Sequence, residues 1–472
     1  MAKRIQEEPP RRQAYADIED TGRYAYRKGQ VLIVWDKAGQ RAAAETLKGL
    51  KPELLRMKPT SMSRFFLEEG RDVDTTVRSL QASGATAFRN HVFLGTPTGR
   101  PREAGPVPAE RPDGMVDLRE PAAAPRAAFG GAPGFTGLPG FTGLPGFTGL
   151  PGFTGLPGFT GLPGFTGLPG FTGLPDPDFN TASPAAAPAD LPERTPDNQL
   201  AGRRRPTVLV LDTGLATVQG RAGRVPEHAF LRHGQAVKVG ANWKISTVAA
   251  EVDDEDERDA DATGLLDAQA GHGTFIAGVI RRIVPDADVF VRGALTSFGD
   301  GDDWTLATAL DRALNDVPNP DVLSLSLGGY TDDDQAPPAV ATYLRMLRGT
   351  VVVAAAGNSA SCRPFWPAAM PELIAVAALD TYGRAPFSNF GWWVDACAPG
   401  VDTVSTYFEP AAGFATTGWA RWSGTSFSCP TVAAAIAHEQ WGDQCPAGVA
   451  KARLLDRHGL FRIPDLGVVV NR

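Results

Sequence analysis

The sequence predicts two folded units: a large C-terminal α/β unit built on a parallel sheet with helices on both faces, and a small α+β unit ahead of it. Three observations predict this. From Pro206 onward, uninterrupted Val/Leu/Ile runs alternate with helical stretches, which is how strands buried on both faces read. Residues 24–98 carry a strand and helix succession of their own, and residues 99–205 between the two are Pro/Gly/Ala/Arg-rich chain without either period. With 472 residues, 43% of them hydrophobic, the chain has material for more than one core.

Residues 1–23 are polar and rich in Pro and Arg, so the expectation there is disorder. Residues 30–35 then read as a buried strand, 40–50 as an Ala-rich helix and 54–58 as a second strand. A third strand over 63–68 leads to a helix opened by Asp72, with Val73, Val77 and Leu80 at helical spacing, and a last strand covers 87–93. The order β-α-β-β-α-β is the split βαβ, ferredoxin-like arrangement.

Inside the linker the hexapeptide Gly-Phe-Thr-Gly-Leu-Pro runs without error from Gly134 to Pro175, placing Gly at every third position. A collagen-like trimer stalk is one reading, because only Gly fits a triple-helix axis. Phe at half the X positions, Pro at only half the Y positions and no charged residue to fix register favour the other reading, a flexible linker.

In the C-terminal unit, 206–472, strands are expected over 207–211, 289–293, 322–326, 350–354 and 373–377, and helices over 272–283, 304–314, 338–348 and 428–441. Lys and Arg number 46 against 53 Asp and Glu, a net charge of -7, which argues against nucleic acid or an anionic membrane as partner. No run reaches membrane-spanning length, and no apolar stretch follows Lys3-Arg4, so a cytoplasmic location is expected. Cys362, Cys397, Cys429 and Cys445 lack CxxC spacing and read as small buried hydrophobes, not as zinc ligands.

Three short blocks carry chemistry. The strand before Asp212 ends in Asp212-Thr213-Gly214, His272 opens an apolar helix within Gly271-His272-Gly273-Thr274, and Ser426 stands in Ser423-Gly424-Thr425-Ser426 at the mouth of another helix. Taken singly, an Asp after a strand is a turn residue and a Ser or His at a helix start is a cap. Together they supply a nucleophile, a base and a carboxylate to orient the base. His91, His228, His233, His438 and His458 have no such context and read as structural.

These blocks resemble the Asp, His and Ser signatures of the subtilases, in that family's chain order, and the likeness covers 206–472. The resemblance implies a subtilisin-like fold and a serine endopeptidase that hydrolyses protein or peptide substrates through an acyl-enzyme. It implies that Asn358, with the Ser426 N–H, forms the oxyanion hole. It implies further that Ser326, Leu327 and Gly328 pair with an extended substrate, that Ala355, Ala356 and Gly357 wall the primary pocket, and that Phe365 stands at its base where a Gly often sits, so small residues fit there. Residues 24–98 resemble the family's inhibitory propeptide, with 94–100 entering the cleft, which makes the chain a latent precursor and its own N-terminal unit a partner.

Phe275, Phe427, Cys429 and Thr431 depart from the family pattern, which often has a His, a Met, a Ser and a His there. No cofactor is expected. The loop that carries calcium in many relatives is missing from the short connection 281–288, and the acidic run 253–261, which could bind calcium, lacks the Gly and Glu of an EF-hand loop and reads as solvated. Two alternatives remain: a catalytically silent peptide-binding scaffold, and a collagen-like trimeric assembly protein.

Overall fold

A computed structural model of the chain describes residues 17–56, 61–95, 182–220, 223–232, 236–239, 242–245, 248–249, 254–262, 264, 266–411, 416–456 and 461–471. The hexapeptide tract and residues 1–16 lie outside these.

In the N-terminal unit, β1 (Ile18–Asp20), β2 (Ala25–Val34), β3 (Glu53–Arg56), β4 (Ser61–Phe66) and β5 (Ala87–Leu94) form an antiparallel sheet in the order β5-β2-β4-β3, with β1 added to β2. Helices α1 (Lys37–Thr46) and α2 (Val73–Ala82) close one core with it, in which Val73, Val77 and Leu80 meet Val31, Ile33 and Phe65. Each helix starts at an aspartate. The Asp36 carboxylate accepts from the Gly39 N–H at 2.7 Å and the Asp72 carboxylate from the Thr75 N–H at 2.6 Å. Such a cap contributes about 1 kcal/mol, and the Asp36 cap is why α1 begins ahead of the expected residue 40. The expectation of disorder through residue 23 fails for 17–23: Ile18 pairs with Arg27 and is buried.

The C-terminal unit is built on a nine-stranded sheet. Its strands are β7 (Thr207–Asp212), β8 (Val248–Ala249), β9 (Asp288–Gly293), β11 (Val322–Leu325), β12 (Val351–Ala355), β13 (Ile374–Leu379), β14 (Ala396–Pro399), β17 (Arg462–Ile463) and β18 (Gly467–Val469). The order is β8-β9-β7-β11-β12-β13-β14-β18-β17, parallel except for the last pair. Successive strand residues point to opposite faces. Val208, Val210 and Val353 thus pack beneath α3 (His272–Ile283) and α6 (Thr425–Asp443), while Leu209, Leu211, Leu323 and Leu325 pack under α4 (Asp303–Asp316) and α5 (Pro338–Met346). Both faces being covered, the apolar runs are continuous.

The stretch read as linker ends earlier than residue 205. From Ala182 the chain lies on the C-terminal unit: β6 (Ser183–Pro184) pairs with β16 (Trp419–Trp422), which also pairs with β15 (Thr403–Thr406). Arg194 binds the Asp288 carboxylate at 2.5 Å and the Ala287 carbonyl at 2.8 Å, and Arg205 binds Asp286 at 3.2 Å and Asp197 at 2.6 Å. Pro/Ala composition conceals a segment held by arginines and backbone pairing. Among the described residues no helix is long and apolar enough to cross a membrane. Cys397 and Cys429 are buried as expected, and burial pushes both thiols up to about 12. Cys362 is exposed, against expectation, because it sits in the irregular chain after Asn358.

The two units share a sheet. Strand β10 (Asp300–Asp302) pairs antiparallel with β5, Leu94 opposite Asp300, and Asp302 also caps α4 through a reciprocal pair of bonds with Thr305 at 2.8 Å each.

Candidate active site

Asp212 ends β7, in the middle of the sheet, so its buried carboxylate lies at the carboxyl edge where open α/β sheets hold their sites. Its Oδ1 is 2.6 Å from Nδ1 of His272 and accepts the Thr213 N–H at 2.8 Å. His272 is the first residue of α3, and the helix can approach β7 this closely because Gly273 has no side chain; a Cβ there would strike the Gly214 carbonyl. Asp256 fastens the same helix start, accepting from the Gly271 N–H and the Thr274 hydroxyl, each at 2.9 Å. Burial pushes the Asp256 carboxyl up to about 7.

Aromatic rings back the imidazole. Trp422 meets His272 edge-on at 5.4 Å, Phe427 lies at 5.4 Å, and Phe275 packs on Phe427 at 4.5 Å. Phe275 and Phe427, two of the departures from the family pattern, are therefore one contact. Edge-to-face and tilted pairs of this kind are worth about 0.5–1.5 kcal/mol beyond their burial, and here they fix the ring's plane.

Ser426 is the second residue of α6, at the positive end of the helix dipole. Its Oγ is 3.4 Å from the Ser326 carbonyl, and the Ser326 hydroxyl donates to the Ser426 carbonyl at 2.8 Å. Asn358 follows β12, and its Oδ1 accepts from the Thr425 N–H at 2.8 Å and the Thr425 hydroxyl at 3.0 Å. With Oδ1 so engaged, Nδ2 is left to donate on the side of the Gly424 turn. Thr425 also accepts the Gly357 N–H at 3.1 Å, tying the Asn358 loop to the helix.

The end of the N-terminal unit runs through the groove beside these residues. Leu94 and Gly328 exchange backbone bonds of 2.8 and 3.3 Å, and the Gly95 N–H donates to the Gly299 carbonyl at 2.9 Å. A Cβ on Gly95 would lie 3.7 Å from Cε1 of His272. Residues 96–100, the rest of the segment expected in the cleft, lie outside the described residues. Of the expected substrate contacts, Gly328 lines the groove through its backbone, while Leu327 turns its side chain into the core. Ala355 and Ala356 are buried, and Phe365 is buried between Gly328 and Gly357.

The acidic run was expected to be solvated, and two of its members are not. Asp254 is buried, accepting the Gly293 N–H at 2.8 Å and pairing with Arg292 at 3.4 Å and with Arg312, and Asp256 holds α3. Their partners lie far along the chain, so local composition misleads. Carboxylate oxygens of Asp259, Asp261 and Asp267 lie within 4.8 Å of one another, but Asp267 already accepts from the Ser297 hydroxyl at 2.5 Å and the Ala260 N–H at 2.8 Å. Thr425, Asp256 and Trp422 are the residues sequence reasoning missed; only Thr425 had a signal, its place inside the Ser block.

An Asp–His pair, a serine at a helix start and an amide donor at one sheet edge can together carry acyl transfer. Residues 203–441 match the subtilase family, and residues 127–180 match the collagen triple helix repeat. The chain is 38% identical over 171 residues to the thermophilic serine proteinase of Bacillus sp. (strain AK1), covering 36% of this chain and 39% of that protein. It is 34% identical over 177 residues to Subtilisin Savinase of Lederbergia lenta (35% and 62% covered) and 34% identical over 174 residues to thermitase of Thermoactinomyces vulgaris (34% and 58% covered). The chain thus spans between 39% and 62% of the length of these relatives.

Proposed function

The chain belongs to the subtilase family, and from that premise we propose that it is a serine endopeptidase acting on protein or peptide substrates and made in a latent form. Ser426 Oγ attacks the scissile carbonyl carbon as its proton passes to Nε2 of His272. Asp212 holds the Nδ1–H and stabilises the imidazolium. The Ser426 N–H and Asn358 Nδ2 take the oxyanion. Collapse expels the amine, which leaves with the proton from His272. Water then repeats the sequence on the acyl-enzyme and restores Ser426.

The observation that carries this reading is the 2.6 Å bond between Asp212 and His272 at the sheet edge that also presents Ser426. The occupied groove supports the latency: Leu94 and Gly95 lie between Gly328 and Gly299 as an extended substrate would, by strand addition. In that role residues 24–95 act as an intramolecular inhibitor, and the hexapeptide tract serves as tether between the units. A monomeric mass in solution is the expected outcome for the tether, and a trimeric mass would favour the stalk.

The test is labelling by a serine-directed phosphonate after the linker has been cut and the N-terminal unit separated. Wild type should take one label at Ser426 and hydrolyse peptides, and Ser426→Ala should do neither. Unlabelled, inactive wild type would point instead to a peptide-binding scaffold.

A further inference from the structure

Where the two units meet, Arg27, Arg89 and His91 of the N-terminal one face Asp300, Asp302, Asp303 and Asp332 of the C-terminal one. Arg27 binds Asp300 at 2.5 Å and Asp302 at 2.8 Å, Arg89 bridges Asp74 of its own unit and Asp332 of the other, and His91 stands between them on β5. His91 is buried, with Nδ1 3.0 Å from Oδ2 of Asp303 and Nε2 3.0 Å from Oδ1 of Asp332. Its backbone N–H donates to the same Asp303 oxygen at 3.0 Å. Both ring nitrogens face carboxylate oxygens, and two such bonds require protons on both sides of the ring or one on a carboxyl group. Either way the group holds one proton more than a neutral histidine and two carboxylates.

We infer that Asp303 and Asp332 form a receptor for protonated His91, so that docking of the N-terminal unit takes up a proton and weakens as pH rises. This deepens the proposed latency and rests on that reading, because it names what governs the inhibitor's hold on the cleft. The charged groups around His91 are two carboxylates that favour its protonation and one cation, Arg89, that opposes it. Asp303 and Asp302 belong to the start of α4, where the helix dipole favours anions. Arg89 is two residues away on the same strand and shares Asp332, while Asp74 reaches from α2 to Arg89. Tyr24 faces the ring at 6.2 Å and Tyr26 pairs with His91 across β2; burial pushes Tyr24 up and Tyr26 up to about 12, so neither phenol ionises in the range concerned.

Burial works against a charged His91, but the hydrogen bonds and charges of Asp303 and Asp332 outweigh it and push the imidazole from 6.5 up to about 9. A group whose affinity for protons is higher in the docked state favours docking fully below its undocked value. That contribution disappears as pH rises through the docked value. Between pH 6.5 and 8.5 the docking equilibrium should therefore fall roughly 40-fold.

The Leu94 and Gly95 amides report docking directly, since they donate across the junction to Gly328 and Gly299. Their hydrogen exchange is to be followed in the full-length Ser426→Ala chain, relative to β7 amides and corrected for intrinsic rate. Protection should drop roughly 40-fold from pH 6.5 to 8.5, and adding His91→Gln should make it independent of pH. Should His91→Gln abolish protection at every pH, Asp332→Asn decides: it keeps an oxygen opposite Nε2 but removes one of the two negative charges that favour the protonated ring, and must reduce the slope. A flat profile in Ser426→Ala, or an undiminished slope in either added variant, overturns the inference. The readout needs no turnover, so a chain that proved unable to cut peptides would leave it standing, and phosphonate labelling fails or succeeds independently.

Discussion

Phe365 presses its ring against Gly328, the residue that pairs with Leu94, and against Gly357 on the facing wall, where a Cβ would come within 3.0 Å of it. Tyr330 closes the ring from the side at 5.1 Å, its hydroxyl accepting from Nδ2 of Asn389 at 3.1 Å. The Phe365 ring thus takes the space beside Gly328 and Gly357, which on the proposed reading border the primary pocket. A preference for Ala or Ser before the scissile bond follows, with Phe and Tyr rejected by roughly 5- to 150-fold, the discrimination overpacking supplies. Phe365→Gly should admit the large residues; a peptide library in which wild type already cleaves after Phe would refute this.

Asn358→Ala should lower kcat by about 100- to 1,000-fold and leave KM nearly unchanged, since in the proposed mechanism its donor meets an oxyanion present only in the transition state. Steady-state kinetics on one peptide suffice. Equal losses in kcat and binding would assign Asn358 to ground-state contacts.

Thr425 holds the Oδ1 of that amide through its N–H and its hydroxyl. Thr425→Val deletes the hydroxyl shared by Asn358 Oδ1 and the Gly357 N–H, so kcat should fall by about tenfold at constant KM, the split expected when a transition-state donor loses its aim. Thr425→Ser should restore it. If Val is tolerated and Ser has no advantage, the hydroxyl has no part in aiming Asn358.

Maturation should leave a mark in the chain. The Ser426→Ala protein should accumulate at full length, while wild type yields a product beginning between Gly99 and Asn180, the stretch whose Pro/Ala/Gly-rich composition suits nicking. Residues 182–205 should be spared, because Arg194 and Arg205 pin them. N-terminal sequencing of the product locates the cut, and an active, uncut protein would remove the precursor reading.

Local signals were enough for the elements that bear the chemistry. The helix over 272–283 was legible to the residue because an apolar run lies between Gly271 and the turn at Pro285, and β7 because its residues are apolar on both faces. What escaped depends on distant partners. Ile18–Asp20 is a strand only because β2 offers an edge, and Asp254 and Asp256 are buried only because Gly293 and Gly271 present amides to them. Phe275 and Phe427 were visible as departures, but 152 positions separate them in the sequence, and nothing local says that each replaces the other's missing neighbour.

The chain is anchored on both sides of its linker, at Gly95 by the groove and from Ala182 by β16 and the arginines. Scission between these anchors therefore does not by itself uncover the cleft. While the chain is whole, the N-terminal unit, in the inhibitory role proposed for it, re-binds at an effective concentration fixed by the tether, of millimolar order for short flexible linkers and falling as they lengthen, whatever the dilution. Once it is cut, re-binding becomes bimolecular and follows total protein. The break thus converts a concentration-independent lock into one that dilution opens, and specific activity of the nicked form should climb as the sample is thinned.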